Sequence, residues 1–445
     1  MLNKLLRTIW GDLSKDEFKK FGLLAVTFLL IIGAYWLLRP LKDGIFASTV
    51  GIKYQPTAKI ISLCFLVPLI LCYSKLVDIV KKQTLFYIIG SVYIVGFSIV
   101  GLLLSHPTIG LANKVESTSR YLGWCSYLMI ESYGSLMVAL FWSFVASSTD
   151  PKTAKKGFPL IIFGAQFGAI TGPTLATFAK ELGLPFLLGI TVATIAMMIG
   201  SIIIYNKAIP TEKKDEEKTS SKKKTGMIAG LKIIFTKSYV LGIFAVATFY
   251  EIVGTIIDFQ MKILARQTYT TPESFTEFLG RFGQIANGIA LFFSLVGTSF
   301  FIRKFGITFC LTLFPVLTGI VLSIVYLYPS LWIVFGGMVA IRALTYALNN
   351  PSKEILYVPT SKDVKFKAKS WIDMFGARSA KAVGAAVTGT FKHSTTKLMT
   401  YGSLISLAVI SIWIVAALFV GKKCTQLTES GDIIESNDEI KNKER

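Results

Sequence analysis

The sequence has little of the chemistry on which most enzymes and metalloproteins depend. Its 445 residues include only two histidines and five cysteines, and no two cysteines form a CxxC pair. Metal sites draw on clustered Cys, His, Asp and Glu side chains, and no such cluster has metal-ligand spacing here. The Walker GxxxxGK[ST] phosphate-binding loop is absent as well. We therefore expect no metal, no cofactor and no enzymatic activity, ATP hydrolysis included.

Charged residues are also scarce. They make up 16% of the chain, hydrophobic residues make up 53%, and the mean hydropathy is +0.59. Soluble domains have about 25% charged residues, so this composition indicates a protein embedded in a lipid bilayer. The chain is basic, with a net charge of +21, but the excess Lys and Arg lies in short segments between apolar runs. That distribution fits membrane topology better than a nucleic-acid partner.

The apolar runs predict an all-α integral membrane protein with twelve transmembrane helices. A span needs about 20 mainly apolar residues, and six such runs lie on each side of a polar linker that contains KKDEEKTSSKKK. Ser14 and Glu17 fit a capping box that opens the first span. The predicted segments are an interfacial N-terminal segment 1–20, an N-terminal six-helix half 21–206, a cytoplasmic linker 207–236, a C-terminal six-helix half 237–420, and a cytoplasmic tail 421–445 that we expect to be disordered.

The connections between spans predict the orientation of the chain. Those after the even-numbered spans are basic, as in Lys81-Lys82 and Arg303-Lys304, and they alternate with less basic ones. By the positive-inside rule, both termini and the linker are cytoplasmic in a multi-pass protein of the cell inner membrane. We expect a monomer.

Small residues recur at every fourth position in two corresponding spans. The fifth span carries Gly164, Gly168 and Gly172, and the eleventh carries Gly376, Ala380, Gly384 and Thr388. Such faces allow close helix contact, and their repetition predicts a duplicated bundle. The alternative is that glycine is simply common in membrane helices.

Ionisable side chains lie well inside every third predicted span. Such groups are costly in a bilayer and therefore indicate function. The regularity predicts that the first helix of each three-helix unit faces a shared central cavity. The candidates are Arg39, Lys42 and Asp43 in the first span, Glu131 in the fourth, Glu251, Asp258 and Lys262 in the seventh, and Arg342, Tyr346, Asn349 and Lys353 on one face of the tenth; the eleventh adds Asp373.

These residue types predict recognition of an anionic substrate. Arg binds phosphate as a bidentate fork and Lys as a compact point charge. We assign the other candidates, Glu131 and Asp258 included, to substrate binding, and Asp43, Glu251 and Asp373 to charge pairing or coupling. Carboxylates can hold cations in the empty state or take a proton when substrate enters. The alternative is that Arg39 with Asp43 and Asp258 with Lys262 are only neutralising i,i+4 pairs.

Several motifs resemble the nucleotide transporter family of ATP/ADP translocases from obligate intracellular bacteria and plastids. They cover most of the twelve-span region. The matching stretches are LRPLKD from Leu38, ESYGS from Glu131, the pair Phe141-Trp142, AKKGFPL from Ala154, IIDFQMK ending at Lys262, NPSKEILYVP from Asn350, KFKAKSWID from Lys365 and RSAKAVGA from Arg378.

The resemblance implies a major-facilitator-like fold and nucleotide exchange by alternating access. It also implies roles for Lys42, Glu131 and a second-half lysine, which is either Lys353 or Lys369. The chain departs from the family pattern at four places: Ala146, Ala165-Gln166, Thr345 and Asn350. These departures indicate a divergent member and leave open another anion, such as NAD, a sugar phosphate or an organic acid, carried by exchange or with protons.

Overall fold

In a computed structural model the chain is almost entirely helical. The structure describes residues 14–149, 151–209, 227–296, 304–361 and 364–435. Within these ranges no β-strand occurs, and nine stretches are long and apolar enough to cross a membrane. One of the nine, Lys15–Val77, contains two successive helices. The prediction of an all-α membrane fold is confirmed, and the count of twelve spans stays a prediction.

The long helices are numbered in chain order. They are α1 (Lys15–Phe46), α2 (Gln55–Ile79), α3 (Lys82–Leu104), α4 (Tyr121–Ser148), α5 (Pro151–Ala176), α6 (Leu184–Ala208), α7 (Ser238–Thr268), α8 (Pro272–Val296), α9 (Ile307–Leu327), α10 (Leu331–Leu344), α11 (Ala377–Thr390) and α12 (Thr395–Ser430). Short helices cover Ala179–Leu182, Met227–Thr236, Asn350–Ile355 and Lys369–Trp371, and π-helical turns cover Ala47–Gly51, Thr345–Asn349, Val364–Ala368 and Ile372–Gly376.

The predicted capping box at the start of α1 is confirmed. The Ser14 side chain accepts a hydrogen bond from the Glu17 N–H, and the Glu17 carboxylate accepts one from the Ser14 N–H. These bonds satisfy two N–H groups that a helix start leaves unpaired. Most of the predicted interfacial segment, residues 1–13, lies outside the described residues.

The stripes of small residues make the close contacts that the sequence predicts. A Cβ atom on Gly168 of α5 would lie 2.8 Å from the Gly33 backbone nitrogen of α1. On α11, a Cβ on Gly384 would lie 2.8 Å from the Ile252 carbonyl oxygen of α7. Glycine therefore brings α5 onto α1 and α11 onto α7 at backbone contact, and these are corresponding helices of the two predicted halves.

The chain forms two compact units. One contains Met1–Asp215 and Ala265–Gly288, and the other contains Glu216–Leu264 and Ile289–Arg445. Residues 265–288 belong to the first unit because α8 packs on α5: the Asn287 side chain donates to the Ala169 carbonyl at 2.6 Å. A Cβ on Gly283 would lie 2.9 Å from Pro173.

The tail differs from the expectation of disorder. The last helix continues to Ser430 and ends at Gly431, which has the positive φ of 75° that favours glycine. The chain then turns back, so that Ile434 forms an isolated parallel bridge with Thr360 in the loop that follows the short helix Asn350–Ile355. The expected disorder is therefore wrong for 421–435, because the helix buries Cys424 and Leu427.

Candidate functional site

The first cluster of candidate residues lies near the end of α1. Lys42 and Asp43 are 7% and 5% exposed, and Leu41 and Ile45 on the same helix are fully buried. Burying a charged group costs several kcal/mol unless partners replace its water, by order of magnitude. The partners of these two side chains therefore decide what the cluster can do.

The Lys42 ammonium contacts two carboxylates and one aromatic ring. Its Nζ donates a hydrogen bond to Glu131 Oε1 on α4 and lies 3.9 Å from Asp43 Oδ1. It also lies 4.6 Å from the centre of the Tyr127 ring, within cation–π range. The Glu131 side chain is 32% exposed and that of Lys42 only 8%. The pair therefore joins a buried cation to a carboxylate that is partly exposed.

Asp43 is held from a second direction by Gln55. The Gln55 side chain is fully buried, and its Nε2 donates to Asp43 Oδ1 at 2.6 Å. Arg39, in contrast, forms no ion pair with Asp43, and its guanidinium lies 4.7 Å from the centre of the Trp36 ring. The i,i+4 pair suggested for Arg39 and Asp43 is therefore wrong, because Asp43 is held by Gln55 while the guanidinium stacks on an aromatic ring.

The second cluster is centred on α7 and α10. Lys262 donates to Asp258 Oδ2 at 2.8 Å, so this predicted i,i+4 pair is confirmed. Arg342 lies within electrostatic range of both Asp258 and Glu251. Glu251 also pairs with Lys381 of α11 at 3.5 Å. Candidate residues from the seventh and tenth spans are thus brought together.

The two alternative second-half lysines lie in different surroundings. Lys353 lies 5.9 Å from the centre of the Tyr250 ring and within electrostatic range of Asp373 and Glu354. Lys369 forms a direct ion pair with Glu354 at 2.5 Å. Asp373 lies within electrostatic range of both lysines. Lys353, Lys369 and Asp373 therefore belong to one mixed-charge cluster.

A π-helical turn, Thr345–Asn349, interrupts the tenth span. Because a π-turn adds a residue to the helical repeat, the α-helical register predicted from Arg342 to Lys353 is broken here. Tyr346 is half-buried and within electrostatic range of Arg342. Asn349 is 1% exposed, and its side-chain amide has no hydrogen-bond partner in the part of the chain that the structure describes.

Comparison with known proteins identifies the family. The model of the TLC ATP/ADP transporter family matches residues 1–424 of the chain. The chain belongs to the TLC ATP/ADP transporter family. This confirms the resemblance noted in the motifs, and it makes the protein a multi-pass membrane transporter rather than an enzyme.

Relatives of this TLC family member include a chloroplast carrier and a bacterial carrier. The chain is 27% identical to ADP,ATP carrier protein 2, chloroplastic, of Arabidopsis thaliana over 90% of its own length and 74% of that protein. It is 25% identical to ADP,ATP carrier protein 1 of Rickettsia bellii (strain RML369-C), over 95% and 96% of the two chains. The low identities confirm a divergent member.

Solved structures identify the fold of the TLC family member. A nucleoside transporter NupG variant covers 91% of this chain and 99% of its own, with a TM-score of 0.63 and 13% identity. A POT family transporter with 5-aminolevulinic acid gives the same TM-score over 92% and 97% of the two chains, also at 13% identity. The major-facilitator-like fold is therefore confirmed.

The candidate cations of this TLC-family transporter fall into two sets. One set has direct carboxylate partners: Lys42, Lys262 and Lys369. The other set forms no ion pair within 4.0 Å among the described residues: Arg39, Arg342 and Lys353. The second set has aromatic or longer-range neighbours instead.

Sequence reasoning missed three residues of the two clusters. Gln55 binds Asp43, Tyr250 accepts a hydrogen bond from Thr345 at 3.1 Å, and Glu354 binds Lys369. The sequence signals for these residues are weak. Gln55 is a polar residue before a proline at the start of a span, Tyr250 is an aromatic residue next to Glu251, and Glu354 follows Lys353 in the NPSKEILYVP motif. Only the folded chain brings them to their partners.

Proposed function

We propose that this protein exchanges nucleotides, ATP for ADP or a related pair, across a membrane by alternating access. Family membership supports the proposal, as do the chloroplast and bacterial relatives named as ADP,ATP carriers. The observation that carries it for this chain is the buried Lys42 ammonium bound to the more exposed Glu131. An incoming phosphate can replace the Glu131 carboxylate as the hydrogen-bond partner of Lys42.

The charges of each cluster suit a phosphate group. A phosphate group accepts charge-assisted hydrogen bonds, which are about twice as strong as neutral ones. In the first unit, Lys42 would bind phosphate after its bond to Glu131 opens, and Arg39 supplies a planar fork with no carboxylate partner within ion-pair distance in the described residues. In the second unit, Arg342 and Lys353 would serve the same chemistry.

The carboxylates then have a defined role in exchange. When the site is empty, Glu131 and Asp258 hold Lys42 and Lys262 in place, so the buried cations do not lack a counter-charge. An exchanger needs phosphate and carboxylate to replace each other reversibly at these lysines on both sides of the membrane. We assign the substrate-binding role to the cations and the charge-partner role to Asp43, Glu251 and Asp373.

We also propose that the protein lies in the cell inner membrane as a monomer with both termini in the cytoplasm. The basic connections after even-numbered spans support this orientation. A reporter that fluoresces only in the cytoplasm, fused after Arg445, is expected to fluoresce. A reporter inserted in the connection between the third and fourth spans is expected to stay dark, and the reverse pattern would contradict the orientation.

The function is tested in proteoliposomes. Vesicles with purified protein and internal ADP are expected to take up labelled ATP, and vesicles without internal nucleotide are expected to take up far less. Lys42→Ala is expected to abolish uptake, and Lys53→Ala, which removes the same charge from an exposed position, is expected to keep it. If no nucleotide is exchanged while NAD, a sugar phosphate or an organic acid is, the cargo proposal is wrong.

A further inference from the structure

We propose that Gln55 is a positioning residue for exchange: it holds the Asp43 carboxylate away from the Lys42 ammonium, so that Lys42 stays free to pass between Glu131 and a substrate phosphate. The inference rests on the proposed function. It deepens that function by assigning unequal roles to the two carboxylates beside Lys42.

The local chain path explains how Gln55 reaches Asp43. The first helix continues into the π-turn Ala47–Gly51, and Gly51 has a φ of 104°, which a residue with a side chain rarely adopts. A 3-10 turn follows, and α2 begins at Gln55. This reversal returns the chain so that Gln55, twelve positions after Asp43, lies beside it.

The two carboxylates around Lys42 are held differently. Asp43 Oδ1 accepts a 2.6 Å hydrogen bond from Gln55 and lies 3.9 Å from Lys42 Nζ, too far for a direct hydrogen bond. Its side chain is 7% exposed. Glu131 bonds Lys42 directly and is 32% exposed. Glu131 is therefore the carboxylate that a substrate can displace, and Asp43 is the fixed counter-charge.

Without Gln55, we expect the Asp43 carboxylate to turn toward the Lys42 ammonium. A buried carboxylate needs hydrogen bonds, and the Lys42 ammonium is a cationic donor only 3.9 Å away. A direct, buried Lys42–Asp43 bond would compete with phosphate, because a close ion pair in a low-dielectric environment is costly to open. Anion binding would then weaken although every cation is still present.

The residue type fits this role. A glutamine amide donates to a carboxylate without adding charge, whereas a lysine would neutralise Asp43 and a glutamate would repel it. Because the carboxylate only accepts, the amide NH2 must face Asp43. The Gln55 Oε1 atom then has no hydrogen-bond partner among the described residues. Burying an unpaired oxygen is unfavourable, which argues that the donor is what the site requires.

A double-mutant cycle on ATP/ADP exchange tests the inference. Gln55→Leu is expected to raise KM for ATP about tenfold with a smaller change in kcat. In the Asp43→Asn background the same substitution is expected to change KM less than about twofold, since the carboxylate it positions is gone. Gln83→Leu, which removes a half-buried glutamine from α3, is the control and is expected to keep the wild-type KM.

An exchange of donor and acceptor gives a second, independent readout. In Asp43→Asn with Gln55→Glu, the amide and the carboxylate trade places and the hydrogen bond is kept. This double variant is expected to recover most of the affinity that Gln55→Glu alone loses. It also keeps the test decisive if Gln55→Leu does not fold, which size-exclusion chromatography detects.

The outcomes separate the inference from the proposed function. If wild-type protein exchanges nucleotides and Gln55→Leu raises KM equally in both backgrounds, Gln55 is only structural and the inference is overturned. A wild-type KM in Gln55→Leu, or no recovery in the exchanged pair, overturns it as well. If the wild-type protein exchanges no nucleotide, the proposed function fails and the inference fails with it.

Discussion

Lys42 and Glu131 are joined by a hydrogen bond although 89 positions separate them in the chain. The bond connects α1 to α4 inside one compact unit. Its two ends are unequal, since the lysine is buried and the glutamate is partly exposed. Under the proposed function, an anionic substrate competes with the glutamate for the lysine.

Glu131→Gln is expected to separate binding from turnover. Removing the competing negative charge is expected to lower KM for nucleotide about tenfold, while kcat falls, because the released Lys42 no longer has the Glu131 carboxylate to take the place of the departing phosphate. The measurement is concentration-dependent ATP/ADP exchange in proteoliposomes. Ser135→Ala, one turn further along α4, is the control, and a raised KM in Glu131→Gln would contradict the displacement model.

Nucleotide binding is expected to depend on Lys353 more than on Lys369. Lys369 has a direct carboxylate partner in Glu354, and Lys353 has none within 4.0 Å in the described residues. Charge-assisted hydrogen bonds are worth about 1.5–3 kcal/mol, so Lys353→Ala is expected to weaken nucleotide binding about ten- to hundredfold. Ligand-induced shifts in Tm measure this. A larger loss in Lys369→Ala than in Lys353→Ala would reverse the assignment.

Gly168→Ala is expected to destabilise the first unit. The new Cβ would lie 2.8 Å from the Gly33 nitrogen, and backbone cannot yield as a flexible side chain does. Overpacking of this kind costs about 1–3 kcal/mol. Thermal unfolding of the purified protein measures the loss. Gly189→Ala on α6, where a Cβ meets nothing within 4 Å, is the matched control and is expected to keep Tm; equal Tm values in both variants would refute the contact.

Removing the end of the tail is expected to loosen the loop that follows the short helix Asn350–Ile355. The Ser361 N–H donates to the Ile434 carbonyl at 2.9 Å, and the Ile434 N–H donates to the Pro359 carbonyl at 3.0 Å. A chain ending at Ser430 loses both bonds, so the Ser361 amide should exchange its hydrogen faster by mass spectrometry. A chain ending at Glu435 keeps them and is the control. Identical exchange in the two truncations would show that the pairing is absent in solution.

Features that depend on neighbouring residues could be predicted from the sequence. Apolar run lengths predicted the helical membrane fold, and the spacing of Gly164, Gly168 and Gly172 predicted a close helix contact. The Asp258–Lys262 ion pair was predictable because four positions along a helix is one turn. In each case the sequence signal lies within one helix, as its length, a stripe along one face or two residues one turn apart.

Features that depend on the path of the whole chain could not be predicted. Spacing alone suggested Arg39 for Asp43, but the turn at Gly51 brings Gln55 to it instead. The α-helical repeat also failed at Asn349, because a π-turn shifts the register without an obvious sequence signal. The partner of a buried charge is thus decided by tertiary contacts that periodicity does not contain.

The membership of residues 265–288 in the first compact unit limits how this transporter can be divided. A gene cut at the polar linker would produce a first fragment that lacks Asn287, the donor to the Ala169 carbonyl, and lacks the glycine face that packs on Pro173. The first compact unit would then lack residues 265–288, although the fragment contains all six of its predicted spans. Two separately produced polypeptides would therefore have to meet before the first of them reaches its native stability.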